Sequence, residues 1–135
     1  SIFSLNSGYT VAIAAINTPV QIDTNWTHQH ESRFTGTAAG RVTYQGKGAH
    51  ININGAVSAT GTVPSARNYE FLLYKNGVAV TDAVFKRSFS NTGTGSLSIV
   101  WQLDMETDDY LELWVQNTDT ADDLDLEDIK IYADG

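Results

Sequence analysis

Apolar and polar residues alternate with period two along most of the chain, and no stretch keeps the three-to-four spacing of an amphipathic helix. The longest run is Ala49-His50-Ile51-Asn52-Ile53-Asn54-Gly55-Ala56-Val57-Ser58-Ala59, where small and apolar residues hold every odd position. Side chains alternate across a strand, so this is the pattern of a strand with one face in a core. Shorter runs of the same kind cover 10–16, 69–74, 96–105, 110–116 and 124–133. In the run 96–105, Leu97, Ile99, Trp101, Leu103 and Met105 share one face, while Ser98, Gln102 and Asp104 share the other. The first set is expected to be core.

Turn chemistry falls between these runs. Lys75-Asn76-Gly77 carries the Asn-Gly pair that tolerates both φ > 0 positions of a type I′ hairpin, which predicts antiparallel pairing of 69–74 with 78–85. Loops are expected at 90–95 and 107–109, and Val63-Pro64-Ser65 ends the long strand. In the last run the apolar parity changes: Leu124 and Leu126 are even, Ile129, Ile131 and Ala133 odd. A β-bulge at Glu127-Asp128 restores one buried face. The expected fold is all-β, an antiparallel two-sheet jelly-roll sandwich of about eight to ten strands.

Composition narrows the function classes. The chain has 135 residues, enough for one domain with one core, and at 41% hydrophobic against 18% charged residues it is not a disordered sequence. A net charge of −8 with only eight Lys and Arg argues against nucleic acid, because phosphate binding needs clustered cations. The absence of cysteine excludes a disulfide framework and a thiolate metal site. No stretch approaches the roughly 20 apolar residues of a membrane helix. Neither nucleic acid nor a membrane is an expected partner.

Several motifs stand in order along the chain: Thr18-Pro19-Val20-Gln21-Ile22, Arg33-Phe34-Thr35, Gly40-Arg41-Val42-Thr43-Tyr44-Gln45-Gly46-Lys47, Tyr74-Lys75-Asn76-Gly77-Val78, and Asp108-Asp109-Tyr110-Leu111-Glu112-Leu113-Trp114-Val115-Gln116-Asn117. Together they resemble the C1q/TNF-like jelly rolls of bacteriophage structural proteins over residues 18–133. One departure is Asp108, where that family often has Gly; Asp accepts a left-handed conformation less readily, so this turn is expected to differ in shape.

The resemblance implies a jelly-roll domain over 18–135, preceded by an N-terminal arm or first strand over 1–17, and a homotrimer that buries one sheet edge and its aromatic residues. It also implies a non-enzymatic capsid decoration (cement) protein on the outer surface of the virion, made in the host cytoplasm, with the major capsid protein as partner. The alternative is a tail or fibre knob that binds a host receptor, with a glycan as ligand. A small carbohydrate-active enzyme or lectin is a third class. No nucleophile elbow, phosphate loop or His-Glu-x-x-His motif is present, so no catalytic residue is assigned.

Candidate contact residues follow from these patterns. Tyr110, Glu112 and Trp114 share a face opposite Leu111, Leu113 and Val115. With Tyr44 they are candidates for the trimer interface; the alternative is a second buried face of the sandwich. Ile2, Phe3, Leu5 and Tyr9 are candidates for capsid contact if the N-terminal stretch lies free. Twelve of the sixteen acids lie from Asp104 onward. Among them Asp119, Asp122, Asp123 and Asp125 are weak calcium candidates without the EF-hand glycine or terminal Glu; a solvated acidic rim is the competing reading, and no cofactor is otherwise implied. His28 and His30 share a face if 27–34 is one strand, the geometry for a metal on a three-fold axis, with an ordinary surface pair as the plainer reading. His50 has no evident partner, and Trp26 sits in a polar, loop-like segment suited to a partner or a sugar.

Overall fold

The alternation becomes twelve strands in a computed structural model that describes residues 1–5, 8–29 and 31–134. They are β1 (Ile2–Leu5), β2 (Tyr9–Val11), β3 (Val20–Gln21), β4 (Thr27–Gln29), β5 (Phe34–Gly36), β6 (Val42–Tyr44), β7 (Ala49–Gly61), β8 (Arg67–Lys75), β9 (Val78–Phe89), β10 (Gly95–Met105), β11 (Tyr110–Asn117) and β12 (Leu124–Asp134). No helix occurs among the described residues. Sheet A runs β10-β7-β12-β1-β4, with β2 also on β12; sheet B runs β5-β6-β11-β8-β9, with β3 on β11. All pairings are antiparallel, so the all-β, two-sheet expectation holds. The strand count exceeds the expected eight to ten because the first 44 residues contribute six pieces of two to four residues each.

The inner faces of the long strands make the core. Ile51, Ile53, Val57 and Ala59 of β7 and Leu124, Leu126, Ile129, Ile131 and Ala133 of β12 meet Phe71, Leu73, Leu111, Leu113 and Val115 from sheet B. The parity change in β12 is resolved as expected: its register against β7 shifts between Leu126 and Asp128. Without that shift Ile129 and Ile131 would face water at about 1.5–3 kcal/mol each. One lost ladder hydrogen bond costs only about 1 kcal/mol, so the bulge is the cheaper solution.

Three assignments change. Leu97, Trp101 and Leu103 are only partly buried, whereas Ile99 and Met105 are core. The reason is position: β10 is the last strand of sheet A, so its inner face lies at the open side of the sandwich. The segment 27–34 is not one strand but two, since the chain leaves sheet A after β4 and enters sheet B at β5. His30 lies outside the described residues, and the His28–His30 metal pairing with it. Trp26 is buried: its Nε1 donates to Ile22 O at 2.7 Å and its ring packs on Phe3 at 6.1 Å. Gly40, at φ +86°, lies so close that a Cβ there would come within 2.5 Å of the indole nitrogen.

The turns follow their chemistry. Asn76 and Gly77 adopt φ of +53° and +80° as the hairpin requires. At the β8–β9 pair the register moves from Leu72 opposite Val84 to Tyr74 opposite Ala79, which bulges the free edge of β9 around Asp82. Asp108 also occupies the left-handed region at φ +74°, a conformation that costs a non-glycine residue free energy. Asp108→Gly is therefore expected to raise stability by up to about 1 kcal/mol and Asp108→Val to lower it, read as shifts of the urea midpoint at constant slope.

Candidate functional site

Two outward surfaces carry the residues that chemistry can use. On sheet B, the side chains of β11 that point away from the core are Tyr110, Glu112, Trp114 and Gln116. Trp114 stacks on Tyr74 of β8 with ring centroids 4.4 Å apart and planes 13° apart. Its Nε1 donates to Glu112 Oε1 at 3.3 Å, and Arg41 Nε donates to Glu112 Oε2 at 3.1 Å. The Arg41 guanidinium lies flat over the Tyr110 ring, 3.9 Å from its centroid. Glu112 is only 6% exposed although it points outward, because these neighbours cover it. Leu72, opposite Trp114 in the ladder, is buried beneath the same cover. Burial raises the Tyr74 hydroxyl above its ordinary pKa.

On sheet A the outward face is built mainly of Ser, Thr, Asn and Gln, crossed by one row with apolar members. Ile2 stands opposite both Gln29 and Tyr132, Tyr132 opposite Asn54, and Asn54 opposite Val100. Tyr132 is 48% and Val100 60% exposed, two large apolar side chains with no cover. Next to Val100 is the open side of the sandwich, where the free edges of β9 and β10 lie. Here Val80, Phe85, Leu97, Trp101 and Leu103 are partly buried, and Phe85 meets Trp101 edge to face at 6.4 Å and 86°.

The expected site residues distribute unevenly over these surfaces. Tyr110, Glu112 and Trp114 do come together, on the outside of sheet B and not inside the sandwich. Tyr44 is a correction: it is 1% exposed, packs on Phe34 at 5.1 Å, and its hydroxyl donates to Lys47 O, so it offers no surface to another subunit. Phe3 and Leu5 are likewise core residues of β1, held between β12 and β4, and cannot reach a capsid. Tyr9 packs against the core and donates to Asp23 Oδ1 at 3.4 Å; of the four, Ile2 alone shares the outward row.

The four calcium candidates have separate tasks. Asp119 Oδ2 accepts from Asn68 N, Asp122 Oδ2 from Arg67 Nε and the Thr120 hydroxyl, Asp123 Oδ1 from Ile13 N, and Asp125 Oδ1 from the Thr10 hydroxyl. They point to different partners, and no group of three or more metal-ligating side chains converges among the described residues. The acidic segment instead ties the β11–β12 connection to β8. Asn117, fully buried, receives Asp119 N and Thr120 N, and the Tyr69 hydroxyl donates to Asp122 O and Asp123 O. Desolvation, helped by the Asp122 charge, pushes the Tyr69 hydroxyl up to about 12.

A second knot closes the opposite end. Asp109 accepts from Glu106 N and from Asn76 Nδ2, both at 2.8 Å, and pairs with Lys75 at 3.5 Å, binding two turns together. The Glu106 amide, then Asn76 and Lys75, hold its carboxyl below the usual range. The Thr120 hydroxyl and Arg67 do the same for Asp122. His50 is a correction as well: Nδ1 lies 2.9 Å from Asp104 Oδ1 and Nε2 3.1 Å from Gln102 Oε1, contacts that raise its pKa above 6.5, the Asp104 bond foremost.

Arg41, Tyr74, Phe85, Val100 and Tyr132 were missed by the sequence reading. Alternation marks Tyr132 and Val100 as outward, but only the strand order puts them in one row. Arg41 lies just outside a strand, and nothing in its sequence neighbourhood points to Glu112, 71 positions away.

No protein-family model matches the chain, and no curated protein does. Solved structures do. Eiger TNF from S. frugiperda superposes with a TM-score of 0.63 at 14% identity, covering 96% of this chain and 89% of that one. Murine APRIL, at pH 8.5, gives 0.57 at 9%, covering 93% and 95%. The globular domain of zebrafish complement 1qA protein gives 0.50 at 12%, covering 97% and 94%. The fold is thus a TNF/C1q-like jelly roll.

Two pH responses follow. Asp109 and Asp122 have depressed pKa values in the folded state, so the stability they contribute is complete above pH 3.8 and is lost as pH falls through those values. Urea midpoints between pH 6 and 2.5 are expected to fall less steeply in Asp109→Asn and Asp122→Asn, which start lower at pH 6. His50 has the opposite sign: its contribution is present below pH 6.5 and fades as pH rises through its raised pKa. Its NMR titration midpoint is expected above 6.5 and closer to it in Asp104→Asn.

Proposed function

We propose that this domain is a non-enzymatic structural protein that assembles as a homotrimer and coats a phage capsid, tying neighbouring coat subunits together. The observation that carries the self-association is the open side of the sandwich, where Phe85 and Trp101 are half covered beside the exposed Val100. The other end of the outward row that contains Val100, at Ile2 and Tyr132, offers a second apolar patch on the same copy. Two unlike patches on one molecule make a head-to-tail contact, and such a contact closes into a three-membered ring when each copy is turned by a third of a circle. Exposed apolar surface of this kind marks association sites on soluble domains. Three weak contacts made by one trimer then hold a capsid far more tightly than one.

The non-enzymatic reading is supported by the employment of the acids. Asp109, Asp119, Asp122, Asp123 and Asp125 are each committed to a backbone amide, a hydroxyl or a cation, which favours structural roles over paired catalysts. The knob that binds a receptor glycan is the second reading, and the outward face of sheet B is what favours it.

Sedimentation velocity is the test of assembly. The chain is expected to sediment as a trimer, and Val100→Lys and Tyr132→Lys as monomers with unchanged unfolding midpoints. A monomeric parent chain would remove the assembly reading. Saturable co-pelleting with undecorated capsids is expected for the trimer; a trimer that stays in the supernatant would remove the capsid role.

A further inference from the structure

Arg41 is held in place before any partner arrives. Its Nε bonds the covered carboxylate of Glu112 and one face of its plane rests on Tyr110, yet its side chain is 49% exposed. Neither terminal nitrogen makes a hydrogen bond among the described residues. A guanidinium so fixed has lost its rotamer freedom in advance and presents two parallel donors, the geometry that grips a planar carboxylate. Glu112 does not forbid a second carboxylate, because the cation lies between the two.

The neighbours of this fork narrow the ligand. Glu112 bridges Arg41 to Trp114, so the part-exposed Trp114–Tyr74 stack adjoins the fork on the same face. Gln21, opposite Trp114 in the ladder, adds a planar amide. Aromatic rings beside charged and amide groups suit a pyranose, which has apolar C–H faces and a rim of hydroxyls. Charge agrees: the strands of sheet B carry four basic and three acidic side chains, those of sheet A one basic and five acidic. Three of those four bases are paired with Asp122, Asp109 and Glu70, so sheet B repels an anion less than sheet A does and attracts it locally at Arg41.

We propose that the outward face of sheet B is a binding site for a sugar acid, its carboxylate in the Arg41 fork and its ring against Trp114 and Tyr74. The site lies within one copy, so it stands or falls independently of the trimer and the capsid.

The test is an NMR titration of the whole chain, following the Arg41 Nε–H and Trp114 Nε1–H signals. Glucuronic acid and N-acetylneuraminic acid are expected to move both signals saturably, with dissociation constants on the order of 1 mM. The neutral methyl ester of glucuronic acid is expected to leave them unmoved, a comparison that needs no variant. Arg41→Lys keeps the charge but loses the fork and is expected to weaken binding roughly tenfold; Lys130→Ala, on sheet A, is expected to bind as the parent does. Absence of saturable shifts with either acid overturns the site. Equal shifts with the methyl ester overturn the role of the Arg41 fork. Equal binding of N-acetylglutamate overturns the sugar and assigns the fork to a protein carboxylate.

Discussion

The fold depends on where its last strand lies. β12 is hydrogen-bonded to β7 on one side and to β1 and β2 on the other, so the two ends of the chain and its middle meet in one sheet. All five inward side chains of β12 are at most 2% exposed. Sheet A cannot close over the core until this strand arrives, and every contact it makes spans a long loop. Such topologies pay loop-closure entropy before packing repays it, which makes folding slow and leaves β7 and β10 exposed meanwhile.

Closing the core also settles the electrostatics. Sixteen acids against eight bases would destabilise a small domain if they faced one another. Several of them are used at the two ends of the sandwich, where Asp109, Asp119, Asp122 and Asp123 take up a backbone amide, a hydroxyl or a cation at or beside a turn. Asp109 and Asp122 are the hubs of the two ends, and both keep their charge more readily than a free carboxylate. The acidic segment 119–125 is a clasp between β11, β12 and β8, a role that spends its oxygen lone pairs on internal partners and leaves no shared point for a cation.

The surfaces left over differ in kind. The open edge and the Ile2–Tyr132 row are apolar and unfinished, as befits a contact with another protein surface. On the face of sheet B indole, carboxylate and guanidinium bond one another, and the terminal nitrogens of Arg41 remain unused among the described residues. A network so connected holds its side chains in place, which is what a small-ligand site needs.

What the sequence by itself determined was everything governed by local periodicity and turn chemistry. Alternation marked the long strands, the parity break in 124–133 located the bulge, and Asn76-Gly77 gave the hairpin. Ordered motifs pointed to the right fold where no family model does. These are legible because side-chain direction in a strand and left-handed tolerance in a turn are properties of neighbouring residues. What only the tertiary structure decided was which strands are terminal and which residues from distant segments share a face. Trp101 looks like core from its own strand and is half open because, among the described residues, no further strand of sheet A pairs with β10. Tyr44 and Phe3 look available; Tyr44 is sealed against Phe34 and the turn at Lys47, and Phe3 lies between Trp26 and the distant β12. Arg41 acquires its role from Glu112 and Tyr110 alone. Strand order is set by how the whole apolar surface closes, and no local window contains that information.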